Sequence, residues 1–449
     1  MNISTFNEDL LDLQDFSQRL TKFIATEHDF VDGGLVIGLS SKYGYGKTTF
    51  LNMWRVSVLE TKEHNLVIYL NAWESDYIGD PLFAIVSALA ETVQNAGGSA
   101  GGLLEAAKDL GWFTTAIGSQ VVNKLTGIDP VSASETAEKK KEERNEDNPL
   151  SMDAFSAYEG RKAAMNSLKG AITEIVSSSS PKALFLVDEL DRCRPDYAIA
   201  YLETIKHLFD IKGAIFVIAA DRRQLENSAR KAFGIDLDFE EYYRKFVHRE
   251  VFLPSISEKG YSNIAGEYVS FYLEREDSRF CIMVLDKSRI DDITALISFL
   301  KLSPRQIQEV FRTLGHLLET SEEKRGKLYW CLGVGSIAMA ALKIGAPDIY
   351  HSLGNRKLTP LTAKEFIESS SDELNFEWWF TLFYTGGGLA TSEDSSANRV
   401  AADVFREVHL IDPEDDTDMS RELSQWRQGW GSSGLAKVYE KIQELAKWS

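Results

Sequence analysis

At 449 residues, 44% hydrophobic and 26% charged, the chain can bury a large core and is expected to split into two or three domains. Its 49 basic and 68 acidic residues leave a formal charge of −19, which argues against broad nucleic-acid binding because that needs a basic footprint. Three cysteines (Cys193, Cys281, Cys331), far apart and without metal-ligand spacing, exclude a disulfide framework and point to a reduced, cytoplasmic setting.

The N-terminal MNISTFNEDLLDLQ has neither a basic flank nor an apolar core, so no signal peptide is expected. The first decisive stretch is GLVIGLSSKYGYGKTTFLNMW, Gly34 to Trp54. Val36, Ile37 and Leu39 read as a short strand, and Phe50 to Leu59 as the helix that follows. Gly44 and Gly46 allow backbone angles that a side chain would forbid. The loop from Ser41 through Tyr45 to Thr49 can therefore turn successive N–H groups toward an anion, and the helix N-terminus adds its dipole. Lys47 would reach the β- and γ-phosphates of ATP, and the Thr48 hydroxyl would sit on Mg²⁺. The pattern G-x-x-x-x-G-K-[ST] asks for glycine where this chain has Ser41. That position leaves the strand before the tightest part of the loop, which tolerates the departure. A glycine-rich turn with a solvated lysine is the alternative; the order strand, loop, GKT, helix argues against it.

Gly97 to Gly102, GGSAGG, reads as a flexible hinge, and the segment after it as a weakly amphipathic helix. Asp129 to Leu150 is charge-dense and too poor in apolar residues to fold alone. Glu105, Lys108, Asp109 and Lys124 interrupt the apolar run, so no transmembrane span is expected; a helix lying on a membrane surface is the other reading.

Ala183 to Val187 is an unbroken apolar run of the kind buried on both faces of a sheet. Asp188 stands at its C-terminal end, where ligands of open α/β sheets bind, and a carboxylate there can hold Mg²⁺. Glu189 is placed to orient or deprotonate an attacking water. The grammar repeats in GAIFVIAADRRQLENSARKAFG, with a strand from Ile215 to Ala219 and a helix from Arg222 to Phe233. Asp221 between them is either a sensor of the γ-phosphate or the cap of the helix. The arginines and lysines of DRRQLENSARK and YYRKFVHRE read as ordinary helix surface or as a local basic patch. Arg244 and Arg249 among them are candidates for arginine fingers acting across a homo-oligomer contact.

After Pro254 the strands stop and helical periodicity takes over. Leu328 to Ala346 is long and apolar but carries Lys343, and reads as a buried helix rather than a span. The last hundred or so residues are aromatic-rich, with Trp378, Trp379, Phe380, Phe383 and Tyr384 expected in a core. No internal repeat is visible.

Five blocks together resemble the KAP family of P-loop NTPases, in the group with an extra strand between the two nucleotide-binding strands. They are SKYGYGKTT (Ser41 to Thr49), YLNAWESD (Tyr69 to Asp76), LVDELDRCRPD (Leu186 to Asp196), FVIAADRRQLE (Phe216 to Glu226) and LSPRQIQEVF (Leu302 to Phe311, with Ser303 where the family has Asn). The resemblance covers roughly residues 1–320. It implies Asp188 as the Mg²⁺ acid, Glu189 as the catalytic acid, Asp191 and Arg192 as family-specific residues, and Arg305 as a sensor arginine on a helical lid.

The fold so implied is α/β: a P-loop NTPase parallel sheet with helices on both faces, then an α-helical lid and a mainly helical C-terminal domain. The expected boundaries are 1–254 for the core, with an insertion at about 96–150, then 255–350 for the lid and 351–449 for an accessory region. The implied activity is ATP hydrolysis driving a conformational change. The resemblance also implies a bacterial protein complex encoded by neighbouring genes, with a role in defence against phages or mobile elements. A slowly hydrolysing nucleotide switch or scaffold, a nucleic-acid-stimulated motor and a small-molecule kinase are the other readings.

Overall fold

A strand covered on both faces has no room for charge along its length, and the chain supplies three such segments. The computed structural model describes residues 3–41, 44–64, 66–109, 151–178, 182–208, 211–274, 280, 285–318, 329–370, 373–390, 398–412, 420–431 and 433–447. Asp129–Leu150, Cys281 and, within the glycine loop, Lys42 and Tyr43 lie outside the described residues. The chain divides into two compact units, one made of Met1–Asp9 and Leu13–Ser255, the other of Leu10–Asp12 and Ile256–Ser449.

The first unit is built on five parallel strands: β1 (Leu35–Ser40), β2 (Val67–Asn71), β3 (Ala183–Asp188), β4 (Ala214–Ala220) and β5 (Arg249–Phe252). Their spatial order is β2-β3-β4-β1-β5, which puts β4 between β1, the strand that leads to the Lys47 loop, and β3, which ends at Asp188. This is the extra-strand arrangement implied by the sequence blocks. Every residue of β1, β3 and β4 is buried. The edge strands β2 and β5 are only partly covered.

The helices of this unit are α1 (Gln14–His28), α2 (Lys47–Glu60), α3 (Ala72–Ser75), α4 (Pro81–Asn95), α5 (Gly101–Asp109), α6 (Ser151–Ser178), α7 (Pro195–His207), α8 (Arg222–Phe233) and α9 (Phe239–Tyr243). One sheet face presents Val36, Phe185, Val187, Phe216 and Ile218 to a continuous core with side chains from α4, α6, α7 and α8. The buried residues of α2, Phe50, Leu51, Met53 and Trp54, stand outside that core. They cover the opposite face, where α2 packs on β3 and β4 and Trp54 donates its indole N–H to Thr21 of α1 at 3.0 Å. On the first face Gly38 leaves room for α9, because a Cβ there would lie 2.6 Å from the Tyr243 hydroxyl.

The glycine cluster read as a hinge is instead part of a turn. Gly97, at φ +78°, and Gly98 donate their N–H groups to the carbonyls of Gln94 and Val93, closing α4. Ala100 is buried, and Gly101 and Gly102 are the first residues of α5, which packs on α6. Glycine serves helix C-caps and linkers alike, so the sequence does not separate the two.

The second unit is helical: α10 (Glu258–Leu273), α11 (Lys287–Phe299), α12 (Pro304–Leu317), α13 (Trp330–Gly345), α14 (Pro347–Gly354), α15 (Pro360–Glu368), α16 (Phe376–Thr385), α17 (Asn398–Glu407), α18 (Ser420–Trp430) and α19 (Leu435–Leu445). The apolar α13 is its hub, buried from Gly333 to Leu342 and packed on α12, α14, α18 and α19. Trp379, Phe380, Phe383 and Tyr384 are core residues, as expected. Trp378 departs from that expectation: it is half-buried and, with Trp426, Asn375 and Glu377, lines a cavity of about 280 Å³. No helix among the described residues is long and apolar enough to cross a membrane.

Candidate nucleotide site

The C-terminal ends of β1, β3 and β4 lie side by side because the strands are parallel and in register. Ser40 pairs with Ala220, and Asn71 of the neighbouring β2 pairs with Asp188. The segments leaving these strands therefore meet at one sheet edge, where ligands of such sheets bind.

Ser41 directly follows β1 and keeps one ladder contact, donating its N–H to Ala220 O at 3.4 Å, so the departure from glycine falls before the loop reverses. The reversal happens at Gly44 and Gly46, both at φ +86°, with Tyr45 half-buried between them. At Gly44 an added Cβ would meet nothing within 4 Å, so the requirement there is for the backbone angle, with open space beside it. Gly46 is the N-cap of α2, leaving the first N–H groups of the helix directed at that space. Lys47 is 9% exposed; its ammonium donates to Ser41 O at 2.8 Å and lies 3.6 Å from the Asp191 carboxylate. Thr48 and Thr49 follow it, half-buried in the first turn.

Asp188 is 1% exposed and held at both oxygens. The Tyr69 hydroxyl donates to Oδ2 and the Glu189 N–H to Oδ1, each at 2.9 Å. Burial, reinforced by the Asp188 charge, drives the Tyr69 phenol far above its ordinary range, so it stays a donor. Glu189 has a left-handed backbone, φ +59°, uncommon for a residue with a side chain. That turn separates its carboxylate from Asp188 and sends it to Arg192, 2.7 Å away. Asp191 accepts the Asp221 N–H at 2.9 Å in addition to its pairing with Lys47. One carboxylate thus ties the end of β4 to the lysine of the loop. Cys193, beside this group, has its thiol pushed up to about 12 by burial and then by Asp76, Asp191 and Glu189, so it takes no part as a nucleophile.

Of the residues named from sequence, Ser41, Gly44, Tyr45, Gly46, Lys47, Thr48, Thr49, Asp188, Glu189, Asp191 and Asp221 gather at this edge. The Asp221 carboxylate caps α8, accepting from Arg223 N–H at 3.0 Å, the second of its two expected roles. Arg305 belongs to the other unit, exposed in the first turn of α12, where Ser303 donates its N–H to Gln306 Oε1 at 2.8 Å. Arg249 pairs with Glu27 of its own chain at 2.9 Å, whereas Arg244 is exposed at the end of α9. Two arginines of the basic run are also engaged within the chain: Arg222 with Glu240 and Glu250, Arg230 with Glu226.

Sequence reasoning missed Tyr69 as a partner of Asp188. Its signal was a polar interruption two residues before Asn71, on the same face of an otherwise apolar strand. It also missed the clamp in which Arg194 binds Asp76 through its backbone N–H and its Nε, both at 3.0 Å, fixing the segment after β2 to the one after β3.

The residues fit Mg–ATP: a glycine cradle open on one side, a buried ammonium facing it, threonine hydroxyls, and a buried carboxylate with oxygens already aligned by neutral donors. In solved structures the chain is similar to the Aeropyrum pernix ORC2 protein in its ADPNP-ADP complexes, at 13% identity over 98% of this chain and 95% of that one, with a TM-score of 0.35. For the ADP form of that protein the identity is 13%, the shares are 96% and 94%, and the TM-score is 0.36. No curated protein matches the chain. Residues 14–320, well over half the chain, match the KAP family P-loop domain. The chain belongs to the KAP family of P-loop NTPases, and nucleotide binding comes with that membership.

Proposed function

We propose that the protein is an ATPase that hydrolyses Mg–ATP to ADP and phosphate and uses the cycle to change conformation. The observation that carries this reading is the convergence of the buried Lys47 ammonium with Asp188, Glu189 and Asp191 at the ends of β1 and β3, beside a loop opened by two left-handed glycines. The N–H groups of the loop and the first turn of α2 bind the phosphates, and Lys47 neutralises charge on the β- and γ-phosphoryl oxygens. Thr48 and Asp188 would hold Mg²⁺, which when bound would supply positive charge against the phosphoryl oxygens. Glu189 accepts a proton from the attacking water as its oxygen bonds to the γ-phosphorus. The bond from that phosphorus to the β–γ bridging oxygen breaks, ADP keeps the electron pair, and the proton leaves to solvent.

Asp188→Asn should weaken Mg–ATP binding and turnover together. Glu189→Gln should bind Mg–ATP like the wild type while losing about 10²–10⁴-fold in turnover, since removing a general base acts on the transition state. Nucleotide titration beside phosphate-release kinetics makes the comparison; unchanged turnover in both variants refutes hydrolysis at this site. A slowly hydrolysing switch is the second reading, favoured by the Glu189–Arg192 pair. Service in a bacterial complex encoded by neighbouring genes, acting against phages or mobile elements, rests on family resemblance alone. Purifying the protein with its neighbours from the native host tests it; recovery of the chain without partners would refute it.

A further inference from the structure

Resting on the ATPase reading, we propose that Arg192 is a positioning residue that withholds the Glu189 carboxylate from water, and that the exposed Trp73 keeps Arg192 in place. The contacts run in one line from the surface to the site. Trp73 is the second residue of α3, which follows β2 directly, and its backbone N–H is held by Asn71 Oδ1 at 3.1 Å. Its side chain is large and apolar, yet the residue is 52% exposed. The Arg192 guanidinium lies over the indole, 5.6 Å from its centroid, within the range of a cation–π contact. From there Arg192 Nη2 reaches Glu189 Oε1 at 2.7 Å, the length of a charge-assisted bond. The backbone is arranged around the same pair: Arg192 N–H donates to Glu189 O at 3.1 Å, closing one tight turn behind the left-handed Glu189.

A carboxylate in this state is a poor base for water. The arginine occupies lone pairs that the water proton needs, so the ion pair must open before water can bind there. Both side chains are mostly sheltered, at 26% and 13% exposure, so solvent screens the pair only in part. The restraint is not a lock. Opening an ion pair at this depth to admit water costs about a factor of five, roughly 1 kcal/mol at 1.36 kcal/mol per tenfold. Displacing the Trp73 indole, or moving α3 on the end of β2, frees the guanidinium and with it the base. Arg192 touches neither water nor nucleotide in this scheme; it acts through Glu189.

The test measures kcat and KM for Mg–ATP, nucleotide affinity and melting temperature of the full chain and four variants. Arg192→Gln should raise kcat about fivefold and leave KM and affinity at wild-type values. Trp73→Ala, a change at an exposed side chain that spares the fold, should raise kcat about twofold. Arg192→Lys keeps the charge and should stay near wild type. Arg192→Gln combined with Glu189→Gln should lose the gain, because the effect passes through that carboxylate. If Arg192→Gln and Trp73→Ala bind Mg–ATP normally but turn over no faster, the restraint is refuted while the nucleotide site stands. If Arg192→Gln turns over more slowly at unchanged affinity, Arg192 supports the base rather than withholding it, which also overturns the proposal. If no protein, wild type included, binds Mg–ATP, the site reading falls and the proposal falls with it.

Discussion

Asp191→Asn removes a negative charge and almost nothing else. The amide oxygen of asparagine can still accept the Asp221 N–H, so the tie to β4 survives. What is lost is the charge 3.6 Å from the Lys47 ammonium, in a pair with 9% and 4% side-chain exposure. At that distance the gross attraction is about 4–5 kcal/mol with an effective dielectric constant of about 20. Removing one partner of a buried pair costs about 3–5 kcal/mol in general. Lys47 keeps its bond to the Ser41 carbonyl, which places the expected loss at the lower end, about 3 kcal/mol. The phosphates of a nucleotide restore negative charge beside the ammonium. The variant should therefore gain more from Mg–ATP than the wild type does, above the roughly 2.7 kcal/mol that any ligand gives at a hundred times its dissociation constant. Urea unfolding of both proteins, with and without nucleotide, measures all four stabilities. An apo variant as stable as the wild type, or an equal nucleotide increment in both, would refute the coupling between Lys47 and Asp191.

Lys47→Ala should remove measurable Mg–ATP binding by titration, because it deletes the buried ammonium at the start of α2 that would neutralise phosphate charge. Asp292 should make the helical unit sensitive to pH: burial first, then Asp291 and Asp286, push its carboxyl up from 3.8 to about 6. Because the folded value is the higher one, the stability it contributes is complete at low pH and is lost as pH rises through about 6. Asp292→Asn should thus be neutral near pH 4 and stabilise at pH 7 by about 1 kcal/mol after allowance for solvent, read from unfolding curves at the two pH values. A variant with the same increment at both would show that Asp292 ionises normally.

What the sequence made legible was set by burial along the chain. β1, β3 and β4 announced themselves because a strand covered on both faces must be apolar throughout, Asp188 because it ends such a run, and Lys47 because it closes the glycine loop that follows one. The ties between these elements left no local trace. Nothing near Asp188 shows that Tyr69 donates to it, since the contact depends on the register of β2 against β3. Glu189 looked like a free base because its left-handed backbone and its arginine partner exist only in the folded turn. Asp221 was left between two roles because a carboxylate at a strand end suits both, and only the folded turn shows it accepting from Arg223 N–H as the cap of α8. Trp378 was misjudged since helical periodicity cannot tell a core face from one that borders a cavity.

The strand order also governs how the protein is made. Ala183 pairs with Ala214 about 30 residues on, whereas Leu35 of β1 pairs with Ile215 about 180 residues on. Closing the longer loop costs about 1.5 kcal/mol more in chain entropy, so β3 and β4 are the natural seed of the sheet and β1 joins afterwards. On the ribosome, at about 5–20 residues per second, β1 is synthesised roughly 10–35 s before β4 exists to receive it. Through that interval Leu35, Val36, Ile37 and Leu39, each at most 1% exposed in the finished fold, have no sheet to enter and present a sticky segment to chaperones and to other nascent chains. The nucleotide loop, the first recognisable feature of the sequence, is thus among the last parts of the sheet unit to be assembled.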